Sequence, residues 1–388
     1  MAQDTQDHAQ TVSVARPVAG DPGDFGQTVL VLQGGGALGA YQVGVYQALH
    51  EAGIEPAWVI GTSIGAINGA IIAGNPPAQR LEKLTQFWDL MQDQSGAGMG
   101  AWLATLLPAM AKDLSNANIY SKGIGGFFVP NQQAALGVNT VLGAEQAAFY
   151  STAPLHDTLL GLADFDYINA KHGRLTLGAV NVKSGAMRYF DSRDQALGVK
   201  HVMASGALPP AFPAVRIDGE TYWDGGIYSN TPIEVVLDDK PRRNSLIFSA
   251  NVWHPTGPEP ETILQVIGRQ KDIQFASRVN SHVQRQQQIH RLRHIIRDLA
   301  RHVPAARRDD PEVKKLTGYG CATVMHVVPL LAPRVEGEDH TKDIDFTAAG
   351  IKARRSAGYS DMRRALAQAP WQREINAMDG VIIHEILP

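Results

Sequence analysis

The chain has 388 residues, 44% of them hydrophobic and 19% charged, with a net charge of −3. That length allows a substantial core, in one large domain or a few smaller ones, and a charge so near neutral gives no reason to expect nucleic acid. The lone cysteine, Cys321, excludes an intramolecular disulfide framework and a cysteine-built zinc site, and points to a reducing, cytoplasmic setting.

Residues 1–25 are polar and rich in Gly, Pro and Asp, lack the basic and apolar stretches of a signal peptide, and read as a disordered tail. Thr28 to Gln33 is a short apolar β run, and Gly34-Gly35-Gly36-Ala37-Leu38-Gly39 then lets the backbone turn with its amides exposed. A helix follows to about Ala52, where Gly53 suits the left-handed residue that closes it. Trp58 to Gly61 is a second strand, and Ser63 stands where that strand breaks into the helix Ile64–Ala73. If the two strands are parallel neighbours, both turns lie side by side at their carboxyl ends, the edge where open α/β sheets hold ligands.

Ala78–Met91 reads as a helix with Leu81, Leu84, Phe87 and Trp88 on one face. Residues 92–150 lose regularity: an apolar Trp102–Met110 segment is hinged by glycines, which reads either as a lid or acyl-chain pocket or as a helical insertion packed on the core. Pro154–Gly161 is a helix, Leu175–Val182 a buried strand, and Met187–Asp191 its hairpin partner. A short helix Ala196–Ser205 precedes a strand Thr221–Trp223 that ends at Asp224-Gly225-Gly226. Thr231-Pro232 opens another helix, and Asn244–Val252 is a core strand. Strands alternating with helices predict an α/β fold, a largely parallel sheet covered on both faces.

Beyond Pro260 the character changes. Glu261 to about His302 lacks proline and reads as one or two long helices, with Leu292, Ile296, Leu299 and Val303 on one face. Arg285, Arg293, Arg297 and Arg301 fall on another. A strand at Ala322–Val328 and a helix at Phe346–Ala367 complete the chain. The organisation expected is a tail at 1–25, a catalytic domain at 26–255 with the 92–150 excursion, and a mostly helical extension at 256–388 that docks on it. No run of about 18 apolar residues occurs, so any membrane contact is peripheral.

Gly61-Thr62-Ser63-Ile64-Gly65 is the G-x-S-x-G nucleophile elbow, which needs serine on a tight strand-to-helix turn and small flanking residues where strand and helix pass closely. The helix start also favours developing negative charge near Ser63. The glycine loop at 34–39 matches the dinucleotide fingerprint too, but the second strand ends in Gly61-Thr62-Ser63 without the acidic residue that would hold a ribose. Its amides therefore suit an oxyanion better than a pyrophosphate. Serine needs a base. Two candidates stand at strand ends: Asp224, whose glycines let a neighbouring loop approach, and His254, after the Asn244–Val252 strand.

GGGALG, GTSIG and DGG occur in the order and positions of the patatin-like phospholipases, and the chain resembles that family from about Val29 to Val252. The resemblance implies a three-layer α/β/α sandwich, and hydrolysis of lipid acyl esters without metal or cofactor. It also implies Ser63 and Asp224 as a dyad without histidine, Gly35, Gly36 and their loop neighbours as oxyanion donors, and Gly225 and Gly226 as the dyad loop. The family's glycine loop often carries Arg or Lys where this chain has Leu38, which leaves neutral glycerides, lysolipids and other hydrophobic esters open beside charged phospholipids. The C-terminal third resembles the extension of a bacterial subgroup. The contrasting expectation is a catalytically silent protein that binds anionic lipid or a partner through the Arg285–Arg301 stripe.

Overall fold

The computed structural model describes residues 25–92, 118–119, 121–276, 279–376 and 378–387. The expected tail, Phe25 apart, and residues 93–117 of the expected lid or insertion lie outside them.

Strand β1 (Gln27–Leu32) is the centre of the molecule, its continuous apolar run buried on both faces. A single 3₁₀ turn (Gly36–Gly39) leads into α1 (Ala40–Glu51), and β2 (Trp58–Thr62) into α2 (Ile64–Ala73). β2 lies parallel to β1, so both special turns leave the sheet at the same edge. After α3 (Pro77–Met91), the described part of the 92–150 region includes a 3₁₀ turn (Gln132–Leu136) and a two-residue ribbon, β3 (Val129–Pro130) against β4 (Tyr150–Ser151).

Then come α4 (Ala153–Leu162), α5 (Phe165–Asn169), β5 (Arg174–Asn181), β6 (Met187–Asp191), α6 (Val199–Ser205), β7 (Val215–Ile217) and β8 (Glu220–Asp224). The short helix α7 (Glu234–Leu237) precedes β9 (Ser245–Asn251). Pro232 does not open it, because Thr231 is held outside the helix by the Gln33 side chain. The rest is α8 (Ile263–Ala276), α9 (Val279–Arg301), α10 (Pro311–Thr317), β10 (Met325–Leu331), α11 (Ala348–Gln368) and β11 (Val381–Ile383).

Among the described residues the main sheet has nine strands in the order β11-β10-β9-β1-β2-β5-β8-β7, with β6 also on β5. From β11 to β5 the pairs are parallel, while β6, β7 and β8 join antiparallel. Alternate residues of β1 feed two cores. Leu30 and Leu32 pack with α1, α2, α3 and α11, whereas Val29 and Val31 pack with α7 and α9. This is an α/β/α arrangement with a mainly parallel centre and a mostly helical C-terminal region.

The C-terminal third joins the main sheet through β10, which overlaps the strand expected at Ala322–Val328, and through β11. Its long helix α9 also buries a different face. Leu292 and Leu299 are about 60% exposed, and Gln286, His290 and His294 face inward instead. Each makes one hydrogen bond there, Gln286 Nε2 to Asp238, His290 Nε2 to Leu237 O and His294 Nε2 to Thr323 O, so hydrogen bonding as well as hydropathy sets the inward face. Among the described residues no helix is long and apolar enough to cross a membrane.

Candidate active site

Ser63 has φ 57° and ψ −128°, a conformation that costs a non-glycine residue and persists only where the surroundings enforce it. Two glycines enforce it. A Cβ on Gly61 would stand 2.2 Å from Gly65 O, and one on Gly65 would stand 2.2 Å from Leu32 O. The elbow is also tied from the side: the Ser63 N–H reaches Ser205 at the end of α6, 3.1 Å from both its carbonyl and its Oγ. Ser205 Oγ in turn donates to Gly178 O at 2.6 Å.

Asp224 arrives on an antiparallel strand. β5 carries the register across, with Gly178 beside Thr62 and Ala179 opposite Asp224, so the end of β8 meets the end of β2 at one level. Gly225 makes this approach feasible, since a Cβ there would lie 2.5 Å from Gly178 O. The Asp224 carboxylate is almost wholly buried, and Oδ1 accepts the Gly226 N–H at 2.7 Å. Burial pushes its pKa up from 3.8 to about 7, against the opposing pull of the Ser63 hydroxyl and the Gly226 N–H. The Ser63 hydroxyl is near enough to exert that pull but short of full hydrogen-bond geometry, which leaves buried Oδ2 without a complete partner. Loose contacts of this kind are common before substrate binds.

The glycine loop divides by the state of its amides. The Gly34 N–H is committed to Asn230 O (3.1 Å) and the Leu38 N–H to Gly35 O (3.1 Å), which removes both from the expected donor set. Ala37 and Gly39 do not line the cavity that contains Ser63. Gly35 and Gly36 do line it, as does Ile64 at the start of α2. Among the described residues none of these three N–H groups has a partner.

Ser63, Asp224 and the glycine loop share one cavity of about 330 Å³, a volume normal for a ligand site. Its far wall is an aromatic cluster, in which Phe128 contacts Phe127, Tyr150 and Phe212 edge-on or tilted, with ring centroids 4.9 to 5.4 Å away. His254 is not among the lining residues; its ring is half-buried beside Arg334, Lys342 and Asp272, and burial lowers its pKa. The arginine stripe is not continuous either: Arg293 is partly buried near Arg242, and Arg301 pairs with Asp298 at 3.0 Å.

The model of the patatin-like phospholipases matches residues 30–237, more than half of the chain. The chain belongs to the patatin-like phospholipase family. A second model, described as patatin phospholipase, matches residues 273–378. Similar curated proteins include lysophospholipase nte1 of Aspergillus terreus, 64% identical over 44 residues, which are 11% of this chain and 3% of that protein. Triacylglycerol lipase ptl3 of Schizosaccharomyces pombe is 40% identical over 62 residues, 16% of this chain and 13% of that one. The human patatin-like phospholipase domain-containing protein 6 is 45% identical over 64 residues, 16% and 5% of the two chains. This chain thus matches only a small part of each relative's length. These relatives are eukaryotic and lend no support to the narrower resemblance to a bacterial subgroup. Among solved structures, VipD from Legionella pneumophila aligns over 92% of this chain and 71% of its own, at 16% identity and a TM-score of 0.34.

Within this patatin-like site, six side chains whose positioning role sequence reasoning passed over hold the glycine loop and elbow in place. A buried relay runs from Trp88 Nε1 to Asn68 Oδ1 (3.0 Å), Asn68 Nδ2 to Gln42 Oε1 (2.8 Å) and Gln42 Nε2 to Gln33 O (2.6 Å). Gln33 Oε1 then receives the N–H groups of Val252 (2.5 Å) and Trp253 (3.0 Å). Asn230 and Ser205 complete the set. The one signal for them was a polar residue inside an otherwise apolar or glycine-rich stretch, as at Asn68.

Proposed function

We propose that this chain is a serine hydrolase that cleaves lipid acyl esters through a Ser63–Asp224 dyad. Ser63 Oγ attacks the ester carbonyl while Asp224 takes its proton, and the N–H groups of Gly35 and Gly36, with Ile64, hold the oxyanion. Collapse of the tetrahedral adduct returns that proton to the departing alkoxide and leaves an acyl group on Ser63. Asp224 then deprotonates a water that attacks the acyl carbonyl, and Ser63 regains its hydroxyl as the fatty acid leaves.

The observation that carries this reading is a strained serine, a buried carboxylate with one oxygen unpaired, and two glycines with unpaired amides, all on residues that line one apolar-walled cavity. A histidine in the relay finds no comparable support, since His254 lies outside that cavity. Peripheral contact with a lipid surface is part of the reading. α8, which supplies Phe275 to the cavity, turns Ile263, Leu264, Val266, Ile267 and Ile273 outward to solvent.

The test is fluorophosphonate labelling together with a lipid panel read by mass spectrometry, comparing the parent with Ser63→Ala. Labelling confined to Ser63, and fatty acid release lost in the variant, are expected. Undiminished release by a folded Ser63→Ala protein would sink the assignment.

A further inference from the structure

The cavity wall beside the glycine loop comes from the C-terminal third. Lys271 on α8 and Asp343 both line the cavity with Ser63 and Asp224. Asp343 touches the loop itself, since a Cβ on Gly36 would stand 2.2 Å from Asp343 O. Lys271 Nζ donates to Asp343 Oδ1 (2.8 Å) and Oδ2 (3.0 Å) and to His340 O (3.0 Å), which uses its three N–H donors. A second pair of opposite order, Asp272 with Lys342 at 2.6 Å, is buried beneath it and clamps the same two segments together. Among the described lining residues the acidic and basic side chains are Asp224, Asp343 and Lys271.

An ester carrying a phosphate close to its reacting carbonyl would bring a third anion to this wall. The ammonium that could receive it is already fully engaged, and recognition of phosphate requires charged donors that are free to turn to it. An uncharged glyceride meets no such opposition. We propose that Asp343 is a specificity-determining residue: by holding Lys271 it biases the site toward acyl esters with an uncharged head group and against those with a phosphate. The proposal rests on the hydrolase reading above and names its substrate class.

The experiment compares kcat/KM for dioleoylglycerol and dioleoylphosphatidylglycerol in the same neutral detergent micelles, with p-nitrophenyl butyrate as an ester that has no head group. Like-charge contacts cost enough that the parent is expected to favour the glyceride by about tenfold or more. Asp343→Asn releases Lys271 and is expected to shift the ratio about tenfold toward the phospholipid. The double variant Lys271→Met with Asp343→Asn removes that cation and is expected to return the ratio toward the parent's. A parent that prefers the phospholipid overturns the proposal even if no variant folds, and so does a folded Asp343→Asn protein with an unmoved ratio. A parent inert toward all three esters overturns the hydrolase reading, and this proposal falls with it.

Discussion

Gly34 and Asn230 are joined twice. The Gly34 N–H donates to Asn230 O at 3.1 Å, and Asn230 Nδ2 donates back to Gly34 O at 2.9 Å. A Cβ on Gly34 would stand 2.3 Å from Asn230 Oδ1, and one on Gly226 would stand 2.8 Å from the same atom. One asparagine side chain is thus wedged between the glycine loop and the loop after Asp224. Asn230→Ala leaves Gly34 O with Trp253 Nε1 alone and opens space between the loops. The expected outcome is a fall of roughly 10- to 100-fold in kcat with a smaller change in KM, because misplaced oxyanion donors act on the transition state. Steady-state kinetics on a short-chain ester, with circular dichroism to confirm the fold, check it.

On the proposed dyad, Asp224 is expected to couple activity and stability to pH in opposite directions. Its pKa in the fold, about 7, lies above the ordinary 3.8 because burial penalises the charged form. Between pH 4 and 7 the unfolded chain has lost this proton while the folded one still holds it. Stability therefore falls as pH rises through that window and levels off above it, by up to roughly 4 kcal/mol from this group. As a base Asp224 is competent only when ionised, so kcat/KM rises across the upper part of the same window to a plateau above pH 7. Asp224→Asn is expected to abolish turnover and to flatten the stability profile, leaving a protein more stable than the parent at pH 8. Denaturant melts at pH 5 and pH 8 for both proteins supply the comparison.

The relay through Gln33 gives a sharper test of preorganisation. Gln33→Leu keeps the bulk but strands the buried N–H groups of Val252 and Trp253 and the Thr231 hydroxyl. At about 1–3 kcal/mol for each of the three orphaned groups, roughly 3–9 kcal/mol of stability is expected to be lost. Because Gln33 adjoins the glycine loop, kcat should fall as well. Chemical denaturation and ester kinetics on one preparation separate the two effects.

The run from β1 to α2 was legible because its chemistry is local. Gly34–Gly39 and Gly61–Gly65 are glycine-rich for reasons of close approach, and the strands and helices beside them follow the expected hydrophobic periods. The antiparallel course of β8 was not legible, since a short apolar strand carries no mark of its direction. β7 and β11 have three residues each, too few for a period to register. Ser205, Asn230 and Gln33 act through carbonyls and amides tens or hundreds of residues away, so their roles exist only once the chain has folded. The inward face of α9 misled for a related reason: Gln286, His290 and His294 are buried with partners that hydropathy cannot anticipate.

The C-terminal third depends on a helix crossing that tolerates no side chain. Where α1 meets α11, a Cβ on Gly44 would stand 1.9 Å from Arg355 O, and one on Gly358 would stand 2.0 Å from Tyr41 O. Each obstacle is backbone, which cannot turn aside as a flexible side chain can. Around the crossing, Tyr41 Oη donates to Asp361 (2.9 Å), and Arg355 donates to Gln47 (3.0 Å) from the opposite helix. A methyl at either glycine must push the helices apart, loosening these bonds and the packing of Ile351 and Met362 against the sheet-side core. Gly358→Ala is therefore expected to cost about 3 kcal/mol or more despite being the smallest change available, against about 1 kcal/mol gained from helix propensity. A shift of comparable size to higher stability in thermal or denaturant melts would show that the crossing has slack. The loss should reach the active site too, because the segment that follows β10 and leads into α11 carries Asp343 to the glycine loop, so reduced ester turnover should accompany reduced stability.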